Sequence, residues 1–268
     1  MQYAWFTTRL LHRNPRRLGA LLLAGKTIVV ATTEGFLYAF DLEGSLLWTY
    51  PPTQPVEAGF HSAPALAGDT VLVVDGDGLL HAVSLENGKP RCPDPIRLPG
   101  RIVSHPAIVG GAVFVRTELG TIHAIDHAGC NGLLPPLGHS VSYPTQPVSA
   151  EMAPASDGRT LYVVEGRRLI ALTIDASAWS DVAGEFASPW EGPFVVEDPV
   201  TTPPVVAAGV VYFGTEGGLI FGVDANTGKD LWNGGFRVGS GVRGEVVVVA
   251  RAAFVTTAEG QLWAIAGQ

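Results

Sequence analysis

Residues 201–232 read TTPPVVAAGVVYFGTEGGLIFGVDANTGKDLW. Three short apolar strands and the start of a fourth stand out, separated by Gly-containing turns. The spaced signature is Pro204, Val211-Tyr212-Phe213, Glu216-Gly217-Gly218, Gly222-Val223-Asp224, Thr227-Gly228 and Trp232. Five other stretches repeat parts of it. Internal repetition therefore decides the architecture, where length alone would suggest one or two domains.

The small residue of each third strand gives the period. It falls at Ala39, Ala82, Ala124, Ala171, Gly222 and Ala264, in steps of 43, 42, 47, 51 and 42 residues. That is the spacing of four-stranded propeller blades, WD40-like in length. The alternation around it recurs as Leu37-Tyr38-Ala39-Phe40-Asp41, Leu80-His81-Ala82-Val83-Ser84 and Ile122-His123-Ala124-Ile125-Asp126. Period-two patterning places one row of side chains between packed sheets. A small residue at its centre predicts close approach of the neighbouring blade. An acidic or polar turn ending in Gly precedes each third strand: Glu34-Gly35, Asp77-Gly78, Glu118-Leu119-Gly120, Glu165-Gly166, Glu216-Gly217 and Glu259-Gly260. Pro64, Pro106, Pro154 and Pro204 introduce the first strands.

The fourth strand is the irregular one. Trp48 and Trp232 mark it in the first and fifth units, and Cys92 stands at the Trp place in the second. Leu133 and Trp179 are stand-ins in the third and fourth units. The sixth unit stops at Gln268, three strands in. The missing strand is expected from Tyr3-Ala4-Trp5-Phe6-Thr7, paired with residues 262–266 to close the ring and remove two sheet edges. The expected fold is an all-β, six-bladed propeller of four-stranded antiparallel blades. It forms one domain over 1–268, with blades near 18–50, 61–98, 103–134, 151–180, 201–236 and 243–268 and a closing strand at 3–8.

Composition agrees with many short buried strands joined by tight turns: 47% hydrophobic, 33 Gly, 20 Pro and only 16% charged. The net charge of −8 leaves no basic stripe for nucleic acid. Arg16-Arg17 followed by an apolar run has the look of an export signal, yet residues 18–41 align with 61–84, so that run is expected to be a strand. The cytoplasm is the expected location, with export as the alternative. No run of 18 apolar residues offers a membrane-spanning helix. Cys92 and Cys130 fit no metal spacing and are left as paired or free.

The pattern of apolar strand, Asp/Glu-Gly, Leu-x-Ala-apolar-Asp, Thr-Gly-Lys and Trp resembles the pyrroloquinoline-quinone-type (PQQ-like) propeller repeat. Residues 215–232 are a close match; 33–48 and 77–89 are good ones. The resemblance implies that the outer-strand Trp docks adjacent blades, a role carried to Trp48 and Trp232, with Trp5 as a third. At Cys92 the pattern is broken. The chain looks more like the non-catalytic scaffold branch than like the longer quinoprotein dehydrogenases, whose adjacent cysteine pair has no counterpart here.

Propellers bind at the face where first strands begin. Residues there include Arg17, His61, Ser62, Ser104, His105, Glu151, Thr201, Thr202, Arg243 and Glu245, a set able to hold a metal or an anion, or simply to form a solvated rim. His81 and His123 replace Tyr38 and are expected at blade interfaces. The turn acids ring the same face, where turn chemistry already explains them. Asp75-Gly76-Asp77-Gly78 lacks the rest of a calcium loop. The long segment 176–200 carries Trp179, Trp190 and Phe194 as aromatic contacts for a partner. Catalytic signatures such as Gly-x-Ser-x-Gly, a phosphate loop and His-Glu-x-x-His are missing from the sequence. The expected function is a scaffold for another protein, without a cofactor and within a larger assembly. The alternative is a ligand-, metal- or quinone-binding protein or enzyme using the channel mouth, with quinone or calcium as the candidate cofactors.

Overall fold

The computed structural model describes residues 18–109, 112–119, 121–126, 154–173, 188–249 and 252–266. Among them are 21 strands and no helix. The first sheet runs β1 (Leu18–Ala24), β2 (Thr27–Thr32), β3 (Leu37–Asp41), β4 (Leu46–Tyr50). The second holds β5 (Ala65–Ala67), β6 (Thr70–Val74) and β7 (Leu80–Ser84). The third holds β8 (Ala107–Val109), β9 (Ala112–Arg116) and β10 (Ile122–Asp126). The fourth is β11 (Ala155–Ser156), β12 (Thr160–Glu165), β13 (Arg168–Thr173) and β14 (Phe194–Val195). The fifth is β15 (Val205–Ala207), β16 (Val210–Gly214), β17 (Leu219–Asp224) and β18 (Phe236–Arg237). The sixth is β19 (Val242–Val249), β20 (Ala252–Thr257) and β21 (Leu262–Ala266).

Each sheet is an antiparallel meander in chain order. The first strands of successive sheets adjoin one another from β1 through β5, β8, β11 and β15 to β19. The apolar run after Arg17 is strand β1, as the repeat register requires. In the second sheet the fourth strand is reduced to bridges, Leu80 with Ile96 and Val83 with Pro90. The fourth sheet corrects the expected boundary: its outer strand β14 lies beyond residue 180, after a connection that displaces it along the chain. The expected closing strand at 3–8 lies outside the described residues.

Hydrophobic burial is concentrated between sheets. Val29, Ala31, Leu37 and Trp48 of the first pack on Phe60, Val71, Val73 and Val83 of the second. Equivalent clusters join the second to the third, the third to the fourth, the fourth to the fifth and the fifth to the sixth. Each buried Val, Leu or Ile contributes about 1.5–3 kcal/mol, so these joints carry the fold's stability.

In the first and fifth sheets the small residue at the centre of the third strand has a further reason. Ala39 stands opposite Trp48 of its own sheet, and a Cβ added at Gly222 would meet the Trp232 ring at 3.1 Å. It makes room for the indole of its own outer strand, which then reaches the next sheet. Trp48 donates its indole N–H to Leu85 O at 2.8 Å and lies on Gly88, where an added Cβ would come within 2.8 Å of the ring. The Asn87-Gly88 turn is thus the landing place for the preceding sheet's tryptophan, and Gly88, at φ +70°, satisfies the turn as well.

Candidate functional site

Two repeated hydroxyl positions build the end of the sheets where first strands begin. The residue 20 before the period marker is Ser62, Ser104 or Thr202 in the second, third and fifth sheets. Its hydroxyl accepts the backbone N–H of Val74 (2.7 Å), Arg116 (2.9 Å) or Gly214 (2.8 Å), the last residue of the second strand. Seven before the marker stands Thr32, Asp75, Thr117, Thr215 or Thr257. At four of these the side chain accepts the N–H of the residue four further on (Phe36, Leu79, Leu219, Gln261), and Thr117 instead pairs with the Thr121 hydroxyl. The fourth sheet lacks this residue and uses a tighter turn, Glu165 pairing with Arg168. The turn-closing position, missed by the sequence reading, is marked there as Thr or Asp at constant spacing.

In the second sheet that position is a carboxylate. Asp75 Oδ1 accepts N–H bonds from Asp77 (3.0 Å) and Leu79 (2.9 Å), and Oδ2 accepts Nε2–H of His81 at 2.9 Å. His81 Nδ1 lies 3.1 Å from the Tyr50 hydroxyl, which donates to it when the ring is neutral. Burial pushes the Asp75 carboxyl up, but the bonds from His81, Leu79 and Asp77 outweigh it and hold the group below its ordinary value. The histidine is a buried interface residue, as expected. His123 is buried too, and desolvation lowers its pKa.

Between the second and third sheets lies a cavity of about 260 Å³. His61, Ser62 and Asp75 line one side, and Arg101, Ser104 and His105 the other. The glycines of the Asp75–Gly78 turn make room for His61 and Arg101 in its walls. The His61 ring rests near Gly76, where an added Cβ would meet Cδ2 at 3.1 Å, and the Arg101 stem crosses Gly78. His61 Nε2 is 3.1 Å from Ala58 O. His105 Nδ1 accepts the Ala63 N–H at 2.6 Å, so its proton sits on Nε2. The Asp75 oxygens are committed to the turn and to His81, and Arg101 brings a guanidinium to the lining. The arrangement suits an anionic group such as a carboxylate.

The structure therefore brings His61, Ser62, Ser104 and His105 together, and adds Arg101 and Asp75, which sequence reasoning did not place with them. Thr201 lies at the joint of the fifth and sixth sheets, its hydroxyl donating to Val242 O at 2.7 Å. Thr202 is fully buried, and Arg243 is exposed on β19. Arg17, Glu151 and Trp179 lie outside the described residues, as does the side chain of Glu245. Of the turn acids, Glu34, Asp77, Glu118, Glu216 and Glu259 are exposed. Glu165 is buried; desolvation raises its pKa, opposed by Arg168 and Arg116. Among the described residues no three His, Cys, Asp or Glu side chains converge as a metal site, and no helix is long and apolar enough to cross a membrane.

The aromatic loop expected to face a partner is corrected for Trp190. That residue is 5% exposed, donates its indole N–H to Ala225 O at 3.0 Å and rests on Gly228. It is the docking tryptophan of the fourth sheet, the role assigned to Trp179 as stand-in. Tyr162 reinforces the joint by donating to the same carbonyl at 3.1 Å. Trp232 packs with Tyr212 toward the sixth sheet. Phe194 lines a second cavity of about 310 Å³ with Phe221, Asp198 and Asp230.

The family model described as outer membrane protein assembly factor BamB matches residues 7–180 and 176–268. No curated protein matches the sequence. Among solved structures, the computationally designed Ika8 protein superposes with a TM-score of 0.65 at 16% identity, covering 93% of this chain and 70% of that one. BamB from Moraxella catarrhalis gives 0.53 at 14% identity, covering 90% of this chain and 81% of its own. With the repeat, the inter-sheet tryptophans and the match over nearly every residue in agreement, the chain belongs to the BamB-like family of PQQ-like β-propellers.

Proposed function

We propose that the chain is a non-catalytic scaffold, a six-bladed ring closed by the strand at 3–8, that docks another protein within a larger assembly. The partner sits on the face where first strands begin and places an acidic side chain or terminal carboxylate in the cavity between the second and third blades. The observation carrying this reading is that cavity, walled by His61, Arg101 and His105 around a carboxylate already satisfied by its own turn. The family's named member is an assembly factor, which supports a binding role. Six serial sheets whose first strands adjoin support the ring. Its two end sheets expose apolar rows, Leu21 and Leu23 on β1 and Val247 and Val249 on β19, each 52–67% exposed, and closure buries both.

The test is photo-crosslinking in the native host from residues replaced at Arg101 and, at the opposite end of the sheets, at Lys26. A discrete adduct from position 101 alone, weakened by His105→Ala, supports the reading. Adducts from position 26 alone, or from neither, overturn it. Metal analysis and an absorption spectrum of the purified protein separate the rival class: a stoichiometric metal or a bound quinone would replace the scaffold reading with a ligand-binding one.

A further inference from the structure

Two joints are held by the same device. Trp48 crosses onto Gly88 and Trp190 onto Gly228, each indole donating to a carbonyl three residues before that glycine, at Leu85 and Ala225. The landing glycine stands six residues after the period marker: Gly88 after Ala82, Gly228 after Gly222. The tryptophan stands nine after its marker in the first sheet (Trp48 after Ala39), nineteen in the fourth (Trp190 after Ala171) and ten in the fifth (Trp232 after Gly222). In the fifth, Leu231 N–H bonds to Gly222 O as Arg91 N–H does to Ala82 O in the second.

The same count at the joint between the second and third sheets gives two cysteines. Cys92 stands ten after Ala82, at the tryptophan place, and Cys130 stands six after Ala124, at the landing place. Cys92 is disulfide-bonded, and Cys130 is the chain's one other cysteine. Cys130 lies outside the described residues and enters through its sequence position alone. Cys92 itself is buried among Leu72, Leu80, Ile96, Val113 and Val115, in the cluster joining these two sheets. A thiol side chain is far too short to span the distance an indole covers, so without the bond this joint would lack the crossing contact that its counterparts have.

We propose that a Cys92–Cys130 disulfide replaces the tryptophan-on-glycine contact as the lock between the second and third sheets, and that the protein acquires it in an oxidising compartment. The two thiols give up two protons and two electrons to a second disulfide, of a small molecule or a protein, which leaves as two thiols. Structural disulfides of this kind persist outside the reducing cytosol. This places maturation on the export side of the alternatives weighed from the sequence. It is independent of the docking proposal: the lock can hold whether or not the cavity binds a partner.

The experiment uses the full chain. A non-reduced digest should contain the Cys92 and Cys130 peptides linked, two hydrogens lighter than their sum; two free thiols after denaturation would overturn the proposal. Reductant should lower the thermal midpoint of the wild type by on the order of 10 °C, from the loop-entropy model and the size scaling of Tm. The double variant C92W/C130G restores the pairing used at the other joints. It should recover most of that loss and ignore reductant. A variant no more stable than C92A/C130A would show that the cysteines do not occupy the tryptophan and glycine places. Acid-quenched alkylation of cells of the native host reads the compartment: an intact bond supports it, and full alkylation of both thiols contradicts it.

Discussion

Replacing Trp48 by alanine should show how much one inter-sheet tryptophan contributes. Its ring is 7% exposed, sits opposite Ala39, rests on Gly88 and donates to Leu85 O at 2.8 Å. Truncating a buried tryptophan costs about 3–5 kcal/mol, from lost transfer energy and the cavity left behind. Domains of this kind hold about 5–15 kcal/mol in total, so Trp48→Ala removes a large share. Trp48→Phe keeps most of the ring but strands the Leu85 carbonyl, at a cost of about 1–3 kcal/mol. Leu47→Ala, one residue away and 51% exposed, should cost under about 0.5 kcal/mol. Urea titration at constant m value reads all three. The reasoning fails if Trp48→Ala costs less than about 1 kcal/mol or if Leu47→Ala matches it.

Thr202→Val strands the Gly214 N–H and should cost about 1–3 kcal/mol by the same titration, whereas Thr202→Ser should be tolerated. Asp75 has its folded-state pKa below the ordinary carboxylate value, so its ionised form adds stability above that value, lost as pH falls through the lowered one. Asp75→Asn should therefore destabilise at pH 7 and flatten the acid limb of a stability profile; an unchanged limb refutes the assignment. Tyr162→Phe removes a hydroxyl whose one proton is shared between Ala225 O and Asp157 Oδ2 and should cost about 1–2 kcal/mol, measured by denaturation. Deleting residues 1–8 should abolish a stable monomer, as seen by light scattering and melting; a truncated chain that melts like the full one contradicts closure.

Much of the fold was legible because each repeat carries its own punctuation. Gly35, Gly78, Gly166 and Gly260 sit at positive φ, as the turn reading required, while in the fifth sheet that conformation falls at Gly218, one residue past the expected Gly217. The alternation around each marker maps onto β3, β7, β10, β13, β17 and β21. The fourth strand was harder to read. It pairs over only two residues in the fourth and fifth sheets, so little periodicity marks it and contacts with the next sheet fix its place. Trp190 is hard to place from sequence for that reason: a long connection delays β14, and proximity in sequence favours Trp179. At the candidate site, His61, Ser62, Ser104 and His105 followed from repeat register alone. Arg101 did not, because its place depends on its stem crossing Gly78 of another sheet, a contact no spacing within one repeat encodes.

The central claim is a ring of six equivalent sheets in which the two ends of the chain meet. Spin labels at positions 5 and 264, the latter exposed on β21, measure it directly by electron–electron dipolar spectroscopy. Neighbouring strands lie about 4.8 Å apart, so closure predicts one short, narrow distance distribution that spreads when β21 is broken by Ile265→Pro. A long or broad distribution in the intact protein would contradict the closed ring.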